Sequence, residues 1–151
     1  AVLVNIIYRI DPKHENISRS RELKQITRWF VVLLAVMVQL VIVLSGIGME
    51  INVGSVISIP IALMFVAAGN YLPKCKQNYT MGIKLPWTLA DEDNWNRTHR
   101  LAGYVWTAGG ILMLIMGFFH LAYLFFLVFM AMVLIPSVYS YLIYRKKLKG
   151  I

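Results

Sequence analysis

Three long stretches without a charged side chain constrain this chain more than any other feature. Residues 29–49, 51–73 and 101–144 contain no Asp, Glu, Lys or Arg, and they are 21, 23 and 44 residues long. About 20 apolar residues in a helix cross the hydrocarbon core of a bilayer. The third stretch would extend about 66 Å as one helix, roughly twice the hydrocarbon thickness, so it must fold back on itself.

The fold class that follows is all-α, a polytopic membrane helical bundle in a single transmembrane domain over residues 1–151. We place a turn around Gly117–His120, because this is where the 44-residue stretch divides most naturally. Four complete spans are then predicted, at residues 29–49, 51–73, 101–118 and 121–144. A connection at residues 74–100 separates the second span from the third.

A partial span is predicted at the N-terminus. Residues 1–8 are apolar, but they reach only about 12 Å as a helix, which is too short to cross a bilayer. We therefore expect residues 1–10 to be the end of a truncated span. The chain starts with Ala1 instead of Met, which leads us to expect that part of a larger protein is absent.

The composition excludes several classes of protein. The chain is 59% hydrophobic and 15% charged, whereas soluble domains are about 45–50% apolar and 25% charged. A soluble domain and a disordered chain are both excluded on these figures. The single cysteine, Cys75, forms neither an internal disulfide nor a multi-thiolate metal site. A plain free thiol is expected there, with a lowered pKa or acylation near the membrane as alternatives.

The positions of the basic residues predict the orientation. All fifteen Lys and Arg residues fall in the segment before residue 29, in residues 74–100, or in the tail after Tyr144. With five crossings these segments share one side, and the positive-inside rule makes that side the cytoplasm. We therefore expect a multi-pass protein of the cell membrane with a cytoplasmic C-terminus and with Glu50 and His120 outside. Basic flanks attract anionic lipid headgroups, so the net charge of +8 requires no direct contact with nucleic acid.

The connection at residues 74–100 is more patterned than a spacer needs to be. Gly82 permits a backbone turn closed to other residues, and Pro86 favours an extended residue before it. Thr88 and Asp91 have the spacing of a capping box, which predicts a helix start there. A rigid turn of this kind would present the residues that follow it to a partner.

The predicted helix continues from the connection into the third span. Acidic residues in its first turns suit the positive end of the helix dipole, and Asp93 with Arg97 has the spacing of an i,i+4 ion pair. Trp87 and Trp95 would then lie near the cytoplasmic headgroups, one before the helix and one on it.

The loop resembles the signature loop of the SdpI family, bacterial integral membrane proteins named for immunity to a secreted sporulation-delay toxin. Residues 82–89 read Gly-Ile-Lys-Leu-Pro-Trp-Thr-Leu, with Asn78 before them and Asp91-Glu92, Trp95 and His99-Arg100 after them. The resemblance runs from Asp11 to the basic tail and is specific in the loop. Family members usually have six spans. Lys84 stands where the family typically has Arg, so the planar bidentate contact of a guanidinium is not expected there.

The resemblance implies a non-enzymatic protein that gives immunity to a secreted peptide or protein toxin and signals by binding a cytoplasmic transcriptional repressor. The partners implied are membrane lipid, a secreted toxin and a cytoplasmic repressor, with no cofactor. The residues assigned to a partner-binding or switch loop are Asn78, Gly82, Lys84, Pro86, Trp87, Thr88, Asp91, Trp95, His99 and Arg100. The alternative is that this loop only packs over the helix ends and fixes their spacing.

Two other functions stay open at this stage. A small-molecule channel or transporter is the main alternative, although intramembrane charges usually mark such a pathway and the predicted spans contain none. An intramembrane enzyme would need a nucleophile or metal constellation, and no such spacing is present, so neither catalytic nor metal-binding residues are predicted. Gln39, at the centre of the first complete span, is expected to form a helix–helix hydrogen bond.

Overall fold

The computed structural model describes residues 21–150, which form long helices joined by short connections and one longer loop. The helices are α1 (Arg21–Gly46), α2 (Val53–Tyr71), α3 (Pro86–Ala90), α4 (Glu92–Phe118) and α5 (Ala122–Leu148), with a 3-10 turn at Leu72–Lys74 after α2. No strand occurs in this described range.

The predicted fold class is confirmed. Four of the helices, α1, α2, α4 and α5, are long and apolar enough to cross a membrane. Both α4 and α5 extend beyond the predicted spans, because α4 begins at Glu92 and α5 continues to Leu148. The partial span predicted at residues 1–10 lies outside the described residues.

Two similar turns end α1 and α4 at the side of the bundle away from residues 74–100. At the end of α1, the Met49 amide donates to the Leu44 carbonyl at 3.1 Å, and Gly48 has a φ of +86°. At the end of α4, the Leu121 amide donates to the Met116 carbonyl at 2.9 Å. Both are the 6→1 bond of a Schellman motif, which needs a left-handed residue one position earlier.

His120 takes that left-handed position after α4, with a φ of +59°. Residues 119–121 separate α4 from α5, so the helix break overlaps the turn placed at Gly117–His120 and extends one residue beyond it.

The helices pack in the order α1, α2, α4, α5, and small residues bring α2 and α4 together. A Cβ on Gly69 of α2 would lie 2.6 Å from the Thr107 amide nitrogen, and one on Gly110 would lie 2.9 Å from the Val66 nitrogen. Backbone therefore approaches backbone along this interface, which side chains larger than glycine would prevent.

The interface between α4 and α5 is held by side chains. The Trp106 indole donates to the Met132 carbonyl at 3.0 Å. Phe65 of α2 completes the cluster, with its ring 5.1 Å from Trp106 and 5.8 Å from Phe129 between centroids.

Helix α1 contributes little to this core. It packs against α2, and its side chains are mostly exposed, including that of Gln39. The hydrogen bond expected for Gln39 is absent among the described residues, because the face of α1 that carries this amide meets no other described helix.

Candidate functional site

The segment from Cys75 to Asp91, which we call the cap, folds onto the first turns of α4. Trp95 of α4 is fully buried beneath it, and its indole Nε1 donates to the Cys75 carbonyl at 2.8 Å. Leu72 and Met81 pack in the same cluster as Trp95. The cap is therefore attached to α4 where it begins.

Asn78 shapes the first turn of the cap. Its buried side-chain oxygen accepts from the amides of Thr80 at 2.9 Å and Met81 at 2.6 Å. Its Nδ2 donates to the Lys76 carbonyl at 2.8 Å. Since an asparagine amide can bond both the chain before it and the chain after it, one side chain closes this turn.

His99 joins the middle of the cap to α4. Its Nε2 lies 2.9 Å from the Ile83 amide, which can only donate, so Nε2 is the unprotonated acceptor. Nδ1 then carries the proton and donates to the Trp95 carbonyl at 2.8 Å. The ring also stacks on Trp95 with centroids 4.0 Å apart. The two bonds fix one neutral tautomer.

Gly82 is required where the cap passes over these rings. Its φ is +99°, a left-handed conformation that side-chain-bearing residues rarely adopt. A Cβ at this position would overlap His99 Nε2 and lie 3.1 Å from the Trp95 ring. Both the backbone angle and the close approach therefore require glycine.

Thr88 organises the short helix α3. Its buried Oγ1 accepts from the Leu85 amide at 2.9 Å and lies 2.9 Å from the Ile83 and Leu85 carbonyls, either of which accepts its single proton. The predicted capping box between Thr88 and Asp91 is wrong. Pro86 begins a helix two residues earlier, as proline favours at a first helical position, so Thr88 bonds backwards to Leu85.

Asp91 caps α4 by itself. Its carboxylate accepts from the Asp93 amide at 3.0 Å and from Lys147 Nζ at 2.6 Å. Partial burial raises the pKa of Asp91, but the hydrogen bond and charge of Lys147 outweigh it and hold the pKa below its ordinary value of 3.8. The predicted pair of Asp93 with Arg97 is confirmed at 2.9 Å.

Helix α5 is joined to the cap through Ser140. The Trp87 indole donates to Ser140 Oγ at 2.7 Å, and the Ser140 hydroxyl in turn donates to Asn94 Oδ1 at 3.2 Å. Asn94 Nδ2 donates to the Ser140 carbonyl at 3.1 Å, and Thr98 donates to Asn94 Oδ1 at 3.0 Å. Three elements therefore meet at one buried polar cluster.

Sequence reasoning missed four of the residues that hold the cap: Gln77, Asn94, Thr98 and Ser140. Gln77 Nε2 donates to the carbonyls of Thr88 at 2.8 Å and Leu89 at 2.9 Å. Two serines in an apolar span, Ser137 and Ser140, were the usable signal, although Ser137 is half-buried and bonds the Val133 carbonyl of its own helix. Gln77 and Asn94 resemble ordinary loop and helix-start residues. Within residues 21–150 as described, every buried side-chain nitrogen and oxygen atom has a partner.

The expectation that Trp95 and His99 are presented to a partner is wrong, because both are covered by the cap and almost fully buried. Arg100 is exposed, as expected. Of the other assigned residues, Asn78 and Thr88 are buried, and Gly82, Trp87 and Asp91 are half-buried. Lys84 and Pro86 are exposed and form the outward face of the cap with Tyr79.

The described part of the chain offers no group of three His, Cys, Asp or Glu residues that could hold a metal ion. Cys75 is a buried thiol whose Sγ accepts from Asn78 Nδ2 at 3.5 Å, which favours the plain thiol over an acylated one.

The cap, α4 and most of α5 lie in a range of residues that a known sequence family matches. Residues 74–140 match the model of the SdpI/YfhL protein family. The chain belongs to this family. It is 31% identical over 121 residues to the "Immunity protein SdpI" of Bacillus subtilis (strain 168), an alignment that covers 78% of this chain and 58% of that relative. The chain thus spans less than two thirds of the relative's length. No solved structure matches it.

The SdpI/YfhL match ends at Ser140, the residue of α5 that bonds Trp87 and Asn94. The matched range therefore contains the cap, α4 and the last side chain of α5 in the buried polar cluster. Together with the four apolar helices, the family makes this a multi-pass membrane protein.

Proposed function

We propose that this protein is a non-enzymatic membrane protein that gives its cell immunity to a secreted peptide or protein toxin. The observation that carries the proposal is the 31% identity over 121 residues to a protein named as an immunity protein. The aligned length exceeds the cap, so the likeness includes the helices that would stand in the membrane.

We further propose that the protein signals. A cytoplasmic repressor would bind the outward face of the cap. The buried bonds of Asn78, Thr88 and His99 hold this face in one conformation. A preorganised surface loses less conformational entropy when it binds than a flexible loop does. Tyr79 is 48% exposed, and Lys84 and Pro86 are also exposed. Lys84 Nζ donates to the carbonyl of Thr80, the residue after Tyr79, at 3.1 Å.

The charge distribution supports a cytoplasmic cap. In the described range, Lys and Arg residues lie at the cap end of the bundle, whereas the connections at the other end carry no Lys or Arg and one acidic residue, Glu50. Under the positive-inside rule the cap end faces the cytoplasm. Residues 47–52 and 119–121 would then be what a secreted toxin meets first.

Complementation tests the immunity proposal. A derivative of Bacillus subtilis (strain 168) that lacks its own SdpI would express this protein and grow in conditioned medium of the parent strain. We expect survival near that of cells with their own SdpI restored. Death at normal membrane abundance of this protein would contradict immunity to that toxin.

A pair of variants then compares the outward face of the cap with other exposed positions at the same end of the bundle. Tyr79→Ala with Lys84→Ala should leave abundance and survival unchanged and reduce induction of a reporter gene controlled by the repressor. Lys74→Ala with Lys76→Ala controls for the loss of positive charge, because it removes two exposed cations at the same end of the bundle, one more than the first variant. Equal induction in all cells would exclude this face as the repressor contact. Protection accompanied by solute leakage would favour a channel.

A further inference from the structure

A groove runs between the start of α4 and the end of α5, beside the cap. Its first part, with a volume of about 570 Å³, includes Arg97 of α4 and Tyr139, Leu142 and Lys146 of α5. A second part of about 670 Å³ shares Arg97 and Tyr139 and includes Arg100. The two parts therefore form one continuous surface on one side of the two helices.

The rim of this groove carries more positive charge than the nearby acids neutralise. Asp93 pairs with Arg97 at 2.9 Å, and Lys147 lies 2.9 Å from Asp93 and bonds Asp91. Four further cations of the lining, Arg100, Arg145, Lys146 and Lys149, are exposed and have no ion pair in the part of the chain that the structure describes. Arg145 lies over the Tyr141 ring at 6.0 Å, and all four cations remain to attract an anion from outside the chain.

The wall of the groove is apolar and continues along the membrane-spanning parts of the helices. Leu142 is 50% exposed and Tyr104 is 72% exposed, and Tyr139 lies between the two parts of the groove. A free phosphate or a nucleotide would leave this wall in water. An acyl chain would cover it.

We propose that the groove binds an anionic phospholipid. The phosphodiester lies among Arg100, Lys146 and Lys149, and one acyl chain lies along Tyr104, Tyr139 and Leu142. Basic pockets between helices at a membrane surface bind acidic headgroups, and guanidinium and ammonium groups both donate to phosphate oxygens. This site is separate from the outward face of the cap and does not depend on the proposed immunity function.

Native mass spectrometry of the detergent-solubilised protein tests the proposal. The probes are phosphatidylglycerol and phosphatidylcholine with the same acyl chains. We expect phosphatidylglycerol to stay bound at detergent concentrations that remove phosphatidylcholine. Equal retention of the two lipids would overturn the proposal.

Two charge-matched double variants locate the site. Arg100→Gln with Lys146→Gln removes two unpaired cations from the groove, and we expect phosphatidylglycerol binding to weaken about 30-fold. Arg28→Gln with Lys76→Gln removes the same charge from exposed positions at the same end of the bundle but outside the groove, and binding should hold within about twofold. Equal weakening in both would show a diffuse charge effect and overturn the site.

Two further measurements complete the test: a second double variant and a competition with the soluble headgroup. If Arg100→Gln lowers the unfolding temperature, Lys146→Gln with Lys149→Gln repeats the test from the end of α5 alone. Soluble glycerophosphoglycerol, which is the headgroup without acyl chains, should compete at least 100-fold less well than the intact lipid, on the order of the loss of several buried methylenes. Equal competition would show that the groove takes a free phosphodiester and would overturn the lipid assignment.

Discussion

The cap and helix α1 are held in place by different means. In the cap, particular side chains bond particular backbone groups, as Trp95 bonds Cys75 and His99 bonds Ile83. Helix α1 packs against α2 and leaves most of its side chains exposed, with Trp29 at 70%. Many apolar sequences can pack as α1 does, whereas few can form the specific hydrogen bonds of the cap. Matched substitutions in the two regions should therefore differ in effect.

The largest difference is expected between two glycines. Gly82→Ala must place a methyl group against His99 and adopt a left-handed backbone, so the free energy of unfolding should fall by about 2–4 kcal/mol. Gly46→Ala at the end of α1 has no atom within 4 Å of its new Cβ and should be neutral or slightly stabilising. Unfolding in mixed micelles, followed by circular dichroism, measures both. Equal stability of the two variants would mean that the cap does not hold this turn in solution.

Two tryptophans provide the next comparison. Trp95→Phe leaves the buried Cys75 carbonyl without its indole donor, which should cost about 2–3 kcal/mol. Trp29→Phe changes an exposed side chain on α1 and should cost less than about 0.5 kcal/mol. The same unfolding measurement applies, with hydrogen exchange of the cap amides as a local readout. A large decrease in the free energy of unfolding for Trp29→Phe would show that this face of α1 packs against another helix.

Two glutamines sharpen the comparison further. Gln77→Leu removes the donor to the Thr88 and Leu89 carbonyls and should destabilise the cap by about 1–2 kcal/mol. Gln39→Leu, on the exposed face of α1, should be neutral or stabilising in lipid. Thermal unfolding in nanodiscs tests the pair. Destabilisation by Gln39→Leu would indicate that another helix accepts or donates to this amide.

The smallest effect is expected when the pH is lowered, on the contact between the cap and the end of α5. Because the pKa of Asp91 is lowered in the folded protein, its bond to Lys147 contributes fully above the ordinary value of 3.8 and is lost as the pH falls through the lowered pKa. The cap should therefore keep its contact with the end of α5 at pH 5 and lose it well below pH 4. Hydrogen exchange of the Asp93 amide against pH measures this. Lys147 also pairs with Asp93 and lowers its pKa, so Asp91→Asn should reduce the pH dependence and Asp91→Asn with Asp93→Asn should remove it. A transition between pH 5 and 7 would contradict the assignment.

The helices were predictable because lipid imposes a simple rule. A span must be apolar and uncharged over about 20 residues, so the gaps between charges in the sequence locate all four helices. The direction of packing was not predictable. Neighbouring glycines of α4 face different helices, and only the structure places Gly109 against Met132 of α5 and Gly110 against Val66 of α2.

The cap was predicted as a patterned loop, but its interior was predicted wrongly. Aromatic residues near a membrane boundary are usually read as headgroup anchors, which placed Trp95 at an interface. Its burial depends on a chain segment that folds back over it from Cys75, twenty residues earlier. Such a contact has no periodicity, so no local pattern reports it. The same holds for Gln77 and Asn94.

Helix α4 is continuous from the cap to the turn at His120, and this continuity has a mechanical consequence. Its 27 residues form a rod about 40 Å long, whereas the hydrocarbon core is about 30 Å thick. The rod therefore carries Trp95 and His99 at one end and the opposite connection at the other, with no joint between them. A tilt of 10° about one end displaces the other end by about 7 Å, so a small rotation at one face of the membrane becomes a large displacement at the opposite face.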